Sequence, residues 1–191
     1  MRKFKIKSFC KINLSLRVER KLNNKLHNIK SLITFCGLHD IISINNLRDF
    51  KDNISFSGRF KSRINKKSNT ITKVLSLLRG EGFLKKQMFK IDVKKNIPHG
   101  SGLGGGSSNA AALLKFFNKK MYLKLNRNKV DKIANQIGSD VSICLEKKNI
   151  LLTGKKHKSL KINKKFKLNI LIVFPNIICS TKKIYQKNKQ F

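Results

Sequence analysis

The sequence predicts an α+β domain, and three features carry that prediction. Stretches of period-two alternation mark strands, stretches with apolar residues at helical spacing lie grouped between them, and a glycine-rich loop joins one strand directly to one helix. With 191 residues, 40% of them hydrophobic, the chain is long enough for one ordinary core and the start of a second.

The even positions from Phe4 to Val18 read Phe4, Ile6, Ser8, Cys10, Ile12, Leu14, Leu16, Val18, which predicts a long half-buried strand with Lys11, Asn13 and Arg17 on its other face. LHDIISIN, from Leu38 to Asn45, predicts a second strand. The polar stretch 48–68 reads as loops, with a weak strand at Ile54 to Phe56. Asn69 or Thr70 caps a helix whose Ile71, Val74, Leu75 and Leu78 share a face, and Gly80 is expected to stop it. Phe89, Ile91 and Val93 alternate with polar residues in MFKIDV, a strand that feeds the glycine loop. Val130, Ile133, Ala134 and Ile137 give a later helix ending at Gly138, after which VSICL is expected to be a short strand and LNILIVF, near Leu168, a buried one. Neither an internal repeat nor a flexible linker interrupts this order.

A formal charge of +35 by itself suggests an anionic partner. Its make-up points elsewhere: eight Arg and thirty-six Lys are spread along the chain, whereas readers of bases and phosphates gather Arg forks on one face. No specific nucleic acid is expected, only incidental RNA binding at low salt. No apolar run approaches the ~18 residues of a membrane span, and the basic N-terminus MRKFKIKSFCK lacks a signal-peptide core, so the expected location is cytoplasmic with no membrane partner. Cys10, Cys36, Cys144 and Cys179 lie far apart without CxxC pairing, which predicts buried free thiols and no metal site.

The sharpest chemical signal is Pro98-His99-Gly100-Ser101-Gly102-Leu103-Gly104-Gly105-Gly106-Ser107-Ser108, followed at once by the helix-forming Asn109-Ala110-Ala111-Ala112. Five of the eleven glycines fall within seven positions. A backbone without Cβ atoms can turn successive N–H groups onto an anion, and the helix start adds its own unsatisfied N–H groups and positive dipole end. The loop therefore reads as a polyphosphate cradle. Gly100, Gly102 and Gly105 also satisfy GxGxxG, but no acid lies about 20 residues beyond the loop and the preceding strand carries charges, so a dinucleotide site fits poorly. No Gly-Lys-Ser/Thr follows, which excludes a P-loop. Among nine acids, Asp140 sits after Gly138 where a junction can present it as a base; on residue type alone it equally caps a turn. Lys11 is one lysine of thirty-six and is not singled out by charge alone.

PHGSGLGGGSSNAA resembles the second motif of the GHMP kinases, and Lys11-Ile12-Asn13-Leu14, Leu26-His27 with Ser31 and Asp40 after it, and Ile137-Gly138-Ser139-Asp140-Val141 agree with that family in order. The resemblance implies an N-terminal domain like the second domain of ribosomal protein S5. It also implies ATP and Mg²⁺ as cofactors, and phosphoryl transfer to the 2-hydroxyl of a methylerythritol unit carried on cytidine diphosphate, in the route to isoprenoid precursors. In its terms Lys11 and Asp140 are catalytic, Pro98 to Ser108 hold ATP, and Asn13, His27 and Tyr185 contact the substrate. Two departures stand out. The family's Asp-Gly-Tyr-His reads Asn24-Lys25-Leu26-His27, which removes an aromatic stacking partner. The last glycine is Gly154, so the family's third glycine-rich motif is absent and the chain is expected to be truncated, with 1–155 an ATP-binding domain and 156–191 the beginning of a second.

Overall fold

A computed structural model describes residues 3–21, 27–62, 64–153, 158–164, 166–175 and 177. Six strands form one sheet: β1 (Lys3–Lys21), β2 (His27–Leu47), β3 (Asn53–Ser57), β4 (Met88–Lys94), β5 (Asn149–Thr153) and β6 (Lys158–Ile162). Four helices complete the described elements: α1 (Thr70–Gly80), α2 (Gly105–Lys120), α3 (Arg127–Ile137) and α4 (Ser139–Glu146). The α+β expectation holds.

Strand β2 organises the sheet. It pairs antiparallel with β1 along nearly its whole length, while its other edge is shared by β4 at Ile41–Leu47 and β5 at Ser31–Ile33. β3 joins β4 in parallel, connected through α1, and β6 joins β5 antiparallel. The helices cover the face that bears Ile42, Ile44, Phe89, Ile91 and Val93, forming a single main cluster with Val74, Leu75, Leu78, Leu113, Leu114 and Ile133. Edge-to-face contacts between Phe89 and Phe117, 5.0 Å between centroids, and between Phe4 and Phe116, 5.1 Å, pin α2 to the sheet.

Local chemistry explains the boundaries. Asn69 caps α1 by accepting from the Ile71 and Thr72 N–H groups, while Thr72 Oγ1 accepts from the Asn69 N–H, a reciprocal box. Its stop lies beyond Gly80: the helix runs through that residue, and Gly82, at φ +76°, takes the left-handed turn and donates to the Arg79 carbonyl at 2.8 Å.

Three sequence expectations are corrected. β2 begins at His27, eleven residues before the expected strand, because its N-terminal half turns Asn28, Ser31 and Thr34 inward and hides the alternation. VSICL is helical, within α4; a short apolar run fits either period, and here Val141, Cys144 and Leu145 face the core at helical spacing. LNILIVF is neither strand nor buried: Leu171 is 89% and Val173 79% exposed, and among the described residues its ring contact is Phe174 edge-on to Phe60 at 5.9 Å. An apolar run is buried only where a partner layer covers it.

Candidate active site

The glycine loop leaves β4 and enters α2. Gly100, Gly102 and Gly104 adopt φ of 70°, 78° and 66°, the left-handed region that a side chain resists. Gly104 is the N-cap of α2 and no side chain caps the helix, so its first-turn N–H groups open toward the loop. The loop is held from three sides: the Lys11 N–H donates to the Leu103 carbonyl at 3.0 Å, Thr70 Oγ1 donates to the Gly106 carbonyl at 2.8 Å, and Ser101 Oγ donates to the Pro98 carbonyl at 2.8 Å. Such a frame fixes the loop backbone before any ligand arrives.

Lys11 lies beneath this loop. The strand expectation placed it on the open face, but its side chain is only 7% exposed. The glycine loop covers it: the Lys11 N–H bonds to the Leu103 carbonyl and Gly104 packs against the lysine stem. A Cβ added to Gly104 would stand 2.9 Å from Lys11 Cγ, so glycine is what permits the lysine stem to pass. Lys11 Nζ then meets Asp140 Oδ2 at 3.2 Å and donates to Asn13 Oδ1 at 2.9 Å. Asn13 Nδ2 donates to Ser31 Oγ at 2.7 Å, and Ser31 Oγ donates to the Ser15 carbonyl at 2.7 Å, so a chain of hydrogen bonds orients the ammonium group.

Asp140 stands in the first turn of α4, where the helix dipole favours a carboxylate, and its side chain is 42% exposed. The junction is helix to helix, not helix to strand. Ser108 Oγ, in α2, bonds to Cys144 Sγ, in α4, at 3.2 Å, fastening the two helices that carry the loop and the carboxylate. Burial raises the Cys144 thiol to about 11, so this contact is between neutral groups.

Beneath the loop lies a pair whose role sequence reasoning missed. Lys95 and Asp40 form an ion pair with side chains 4% and 0% exposed. Asp40 Oδ1 also accepts from the Asn96 and Ile97 N–H groups at 2.7 and 2.8 Å, and Lys95 Nζ lies 3.3 Å from where a Gly105 Cβ would be. Burial pulls the Lys95 pKa down while Asp40 offsets it; burial first, then Lys95, pull that of His99 down. The two residues lie 55 positions apart, so no local spacing signalled the pair.

Lys11, Asn13, Asp140 and the segment Pro98 to Ser108 thus come together. Ser107 and Ser108 lie inside α2, with Ser108 buried. His27 opens β2, opposite Lys21, but its side chain lies outside the described residues, as does Tyr185. No group of three or more metal-ligating side chains occurs among the described residues.

The glycine loop sits on a strand-to-helix turn directly against the Lys11–Asp140 pair, and residues 69–148 match the GHMP kinases N terminal domain. The full chain is 46% identical to the 4-diphosphocytidyl-2-C-methyl-D-erythritol kinase of Pelagibacter ubique, covering 67% of it, and 95% of it aligns at 35% identity with that of Caldicellulosiruptor bescii, covering 63%. The chain belongs to this kinase family, and it spans about two thirds of the length of these relatives. Solved structures share the fold: a 4-(cytidine 5'-diphospho)-2C-methyl-D-erythritol kinase (TM-score 0.67, 22% identity, covering 83% of this chain and 55% of that one) and the Methanococcus jannaschii mevalonate kinase (TM-score 0.64, 14% identity, 85% and 56%).

Proposed function

We propose that this chain transfers the γ-phosphoryl group of ATP to the 2-hydroxyl of 4-diphosphocytidyl-2-C-methyl-D-erythritol, a cytoplasmic step toward isoprenoid precursors. Residues 1–155 are its ATP-binding domain and 156–191 open a second one. The observation that carries the reading is the Lys11–Asp140 pair, 3.2 Å apart, set against Gly104 of the cradle.

The N–H groups of the loop and of the first turn of α2 bind the ATP phosphates, with Pro98 to Ser108 as the frame. Asp140, part exposed beside Lys11, accepts the hydroxyl proton as the oxygen attacks. Lys11, oriented through Asn13 and Ser31, meets the negative charge spread over the transferring oxygens. Asn13, His27 and Tyr185 are the residues assigned to substrate. A part-exposed carboxylate beside the loop suits Mg²⁺, which is held by one or two carboxylates plus phosphates and keeps several waters; Asp140 would be the residue to hold it, and when bound it would offset phosphate charge. Even spacing of the lysines supports a small-molecule partner over a specific nucleic acid.

The test is ATP-dependent phosphorylation of that alcohol by the 191-residue chain with Mg²⁺, beside Asp140→Asn. Transfer lost in the variant is expected. ATP bound normally, with turnover equal in both proteins, would overturn the assignment of the reactive pair. The exposed Leu171 and Val173 favour a second reading, a nucleotide-binding remnant without turnover, for which ATP titrates and no product forms.

A further inference from the structure

The geometry points to a modification site beside the reactive lysine: we propose that Cys10 and Cys36 close into a reversible disulfide when the chain meets a small-molecule disulfide. The two thiols lie across the β1–β2 pair, with Sγ atoms 3.0 Å apart. The register steps from Phe9 opposite His39 to Lys11 opposite Phe35, so Cys10 and residues 36–38 stand outside the ladder. The other edge of β2 is free here as well, since its pairing with β5 ends at Ile33 and that with β4 starts at Ile41. A disulfide has an S–S length of about 2.05 Å, so closure requires the sulfurs to approach by roughly 1 Å in a stretch that no ladder bond restrains.

Access separates the two sulfurs. Cys10 is wholly buried, whereas Cys36 is half-buried and lines an open cavity of about 340 Å³ with Phe9, Phe35, Gly37 and Lys147. Lys147 Nζ stands 5.2 Å from the Phe9 ring centroid at this mouth, a cation suited to an anionic peptide disulfide. Burial first, and then Cys36, push the Cys10 thiol up to about 12, so Cys10 stays protonated until its neighbour has reacted. Cys144 is buried in the main core and bonded to Ser108, and takes no part.

The order of steps follows. Cys36, as thiolate, attacks one sulfur of the small disulfide; that S–S bond breaks, one small thiolate leaves, and a mixed disulfide forms on Cys36. Cys10 attacks Cys36 Sγ, its proton passing to the departing small thiolate, and the second small thiol is expelled. Two protein thiols are oxidised by two electrons, and one small disulfide is reduced to two thiols. The new bond fixes the irregular step of the ladder beside Lys11, because Lys11 directly follows Cys10.

The reduced 191-residue chain is incubated with oxidised glutathione, quenched with acid, alkylated and mapped by peptide mass. The expected product has lost two hydrogens, yields a linked Cys10–Cys36 peptide and reverts with dithiothreitol. Cys10→Ser should retain a glutathione adduct on Cys36, Cys36→Ser should form neither species, and Cys179→Ser should behave as the native chain. Circular dichroism of each variant separates lost reactivity from lost fold. Full alkylation of both thiols after oxidation, a lasting adduct on native Cys36, or linkage of either thiol to Cys179 would overturn the proposal.

Discussion

Asp40→Asn should be among the most damaging single substitutions in this chain, although Asp40 touches no reacting atom. Lys95 is 4% exposed and Asp40 is its ion-pair partner. Asparagine can keep its Oδ1 on the Asn96 and Ile97 N–H groups, but its Nδ2 would then confront Lys95 Nζ, donor against donor. An uncompensated charge remains in the core, which typically costs about 3–5 kcal/mol, against a total stability on the order of 5–15 kcal/mol. Burial already pulls the Lys95 pKa down, so without Asp40 the lysine sheds its proton more readily and part of the cost becomes pH-dependent. Urea unfolding followed by circular dichroism, with Asp40→Leu/Lys95→Met as the companion, measures it. The double variant replaces the pair with apolar volume and should unfold at a higher urea concentration than Asp40→Asn. A loss below about 1 kcal/mol for Asp40→Asn, or a double variant weaker than the single, would refute the view that the buried charges depend on each other.

Three other outcomes are expected. Asp140→Asn should lower turnover on the order of 10²–10⁴-fold. Because that carboxylate is 42% exposed, stability should change by about 1 kcal/mol or less, read by a rate assay beside urea unfolding. Gly104→Ala must place a Cβ at φ +66° and 2.9 Å from Lys11 Cγ; a strain of roughly 1–2 kcal/mol in the cradle should weaken ATP binding about tenfold, measured by calorimetric titration. His99 has its folded pKa held below the ordinary 6.5, so as pH falls through that value the unfolded chain takes up the proton first. Stability should therefore be full above about 6.5 and decline below it, and His99→Gln should flatten the decline seen in unfolding midpoints against pH.

Much of this was legible in the residues. Helix α1 follows from its Asn69 cap and apolar stripe, and β4 from its alternation, because local rules and burial agree there. The cradle was legible for the opposite reason: five glycines in seven positions violate ordinary propensity, and only a backbone needing positive φ and close approach makes use of that. Where reading failed, chemistry had displaced pattern. The N-terminal half of β2 buries Asn28, Ser31 and Thr34, so a strand that serves the site looks polar. The burial of Lys11 depends on the glycine loop laid over it, a contact between segments far apart in sequence that a period of two does not encode. VSICL was ambiguous because eight residues of helix hold too few turns to declare a period. Asp40 and Lys95 are far apart in sequence, and nothing local announces that one buries the other.

The Lys11–Asp140 contact also bears on the order of folding. Lys11 lies in β1 and Asp140 in α4, the last helix among the described residues, so most of the chain separates two side chains that meet at 3.2 Å. Contacts of such span carry the greater loop-closure entropy and gain from elements that have already docked, whereas the β1–β2 hairpin and the β4–loop–α2 turn close over short stretches. The cradle can thus take shape early, from neighbours in sequence, while the reactive pair waits for α4 to settle on α2 through Ser108 and Cys144. On the proposed function, an intermediate that has formed the hairpin and α2, but not α4, would hold polyphosphate without the base that acts on it, and nucleotide binding alone would then be a poor proxy for a finished fold.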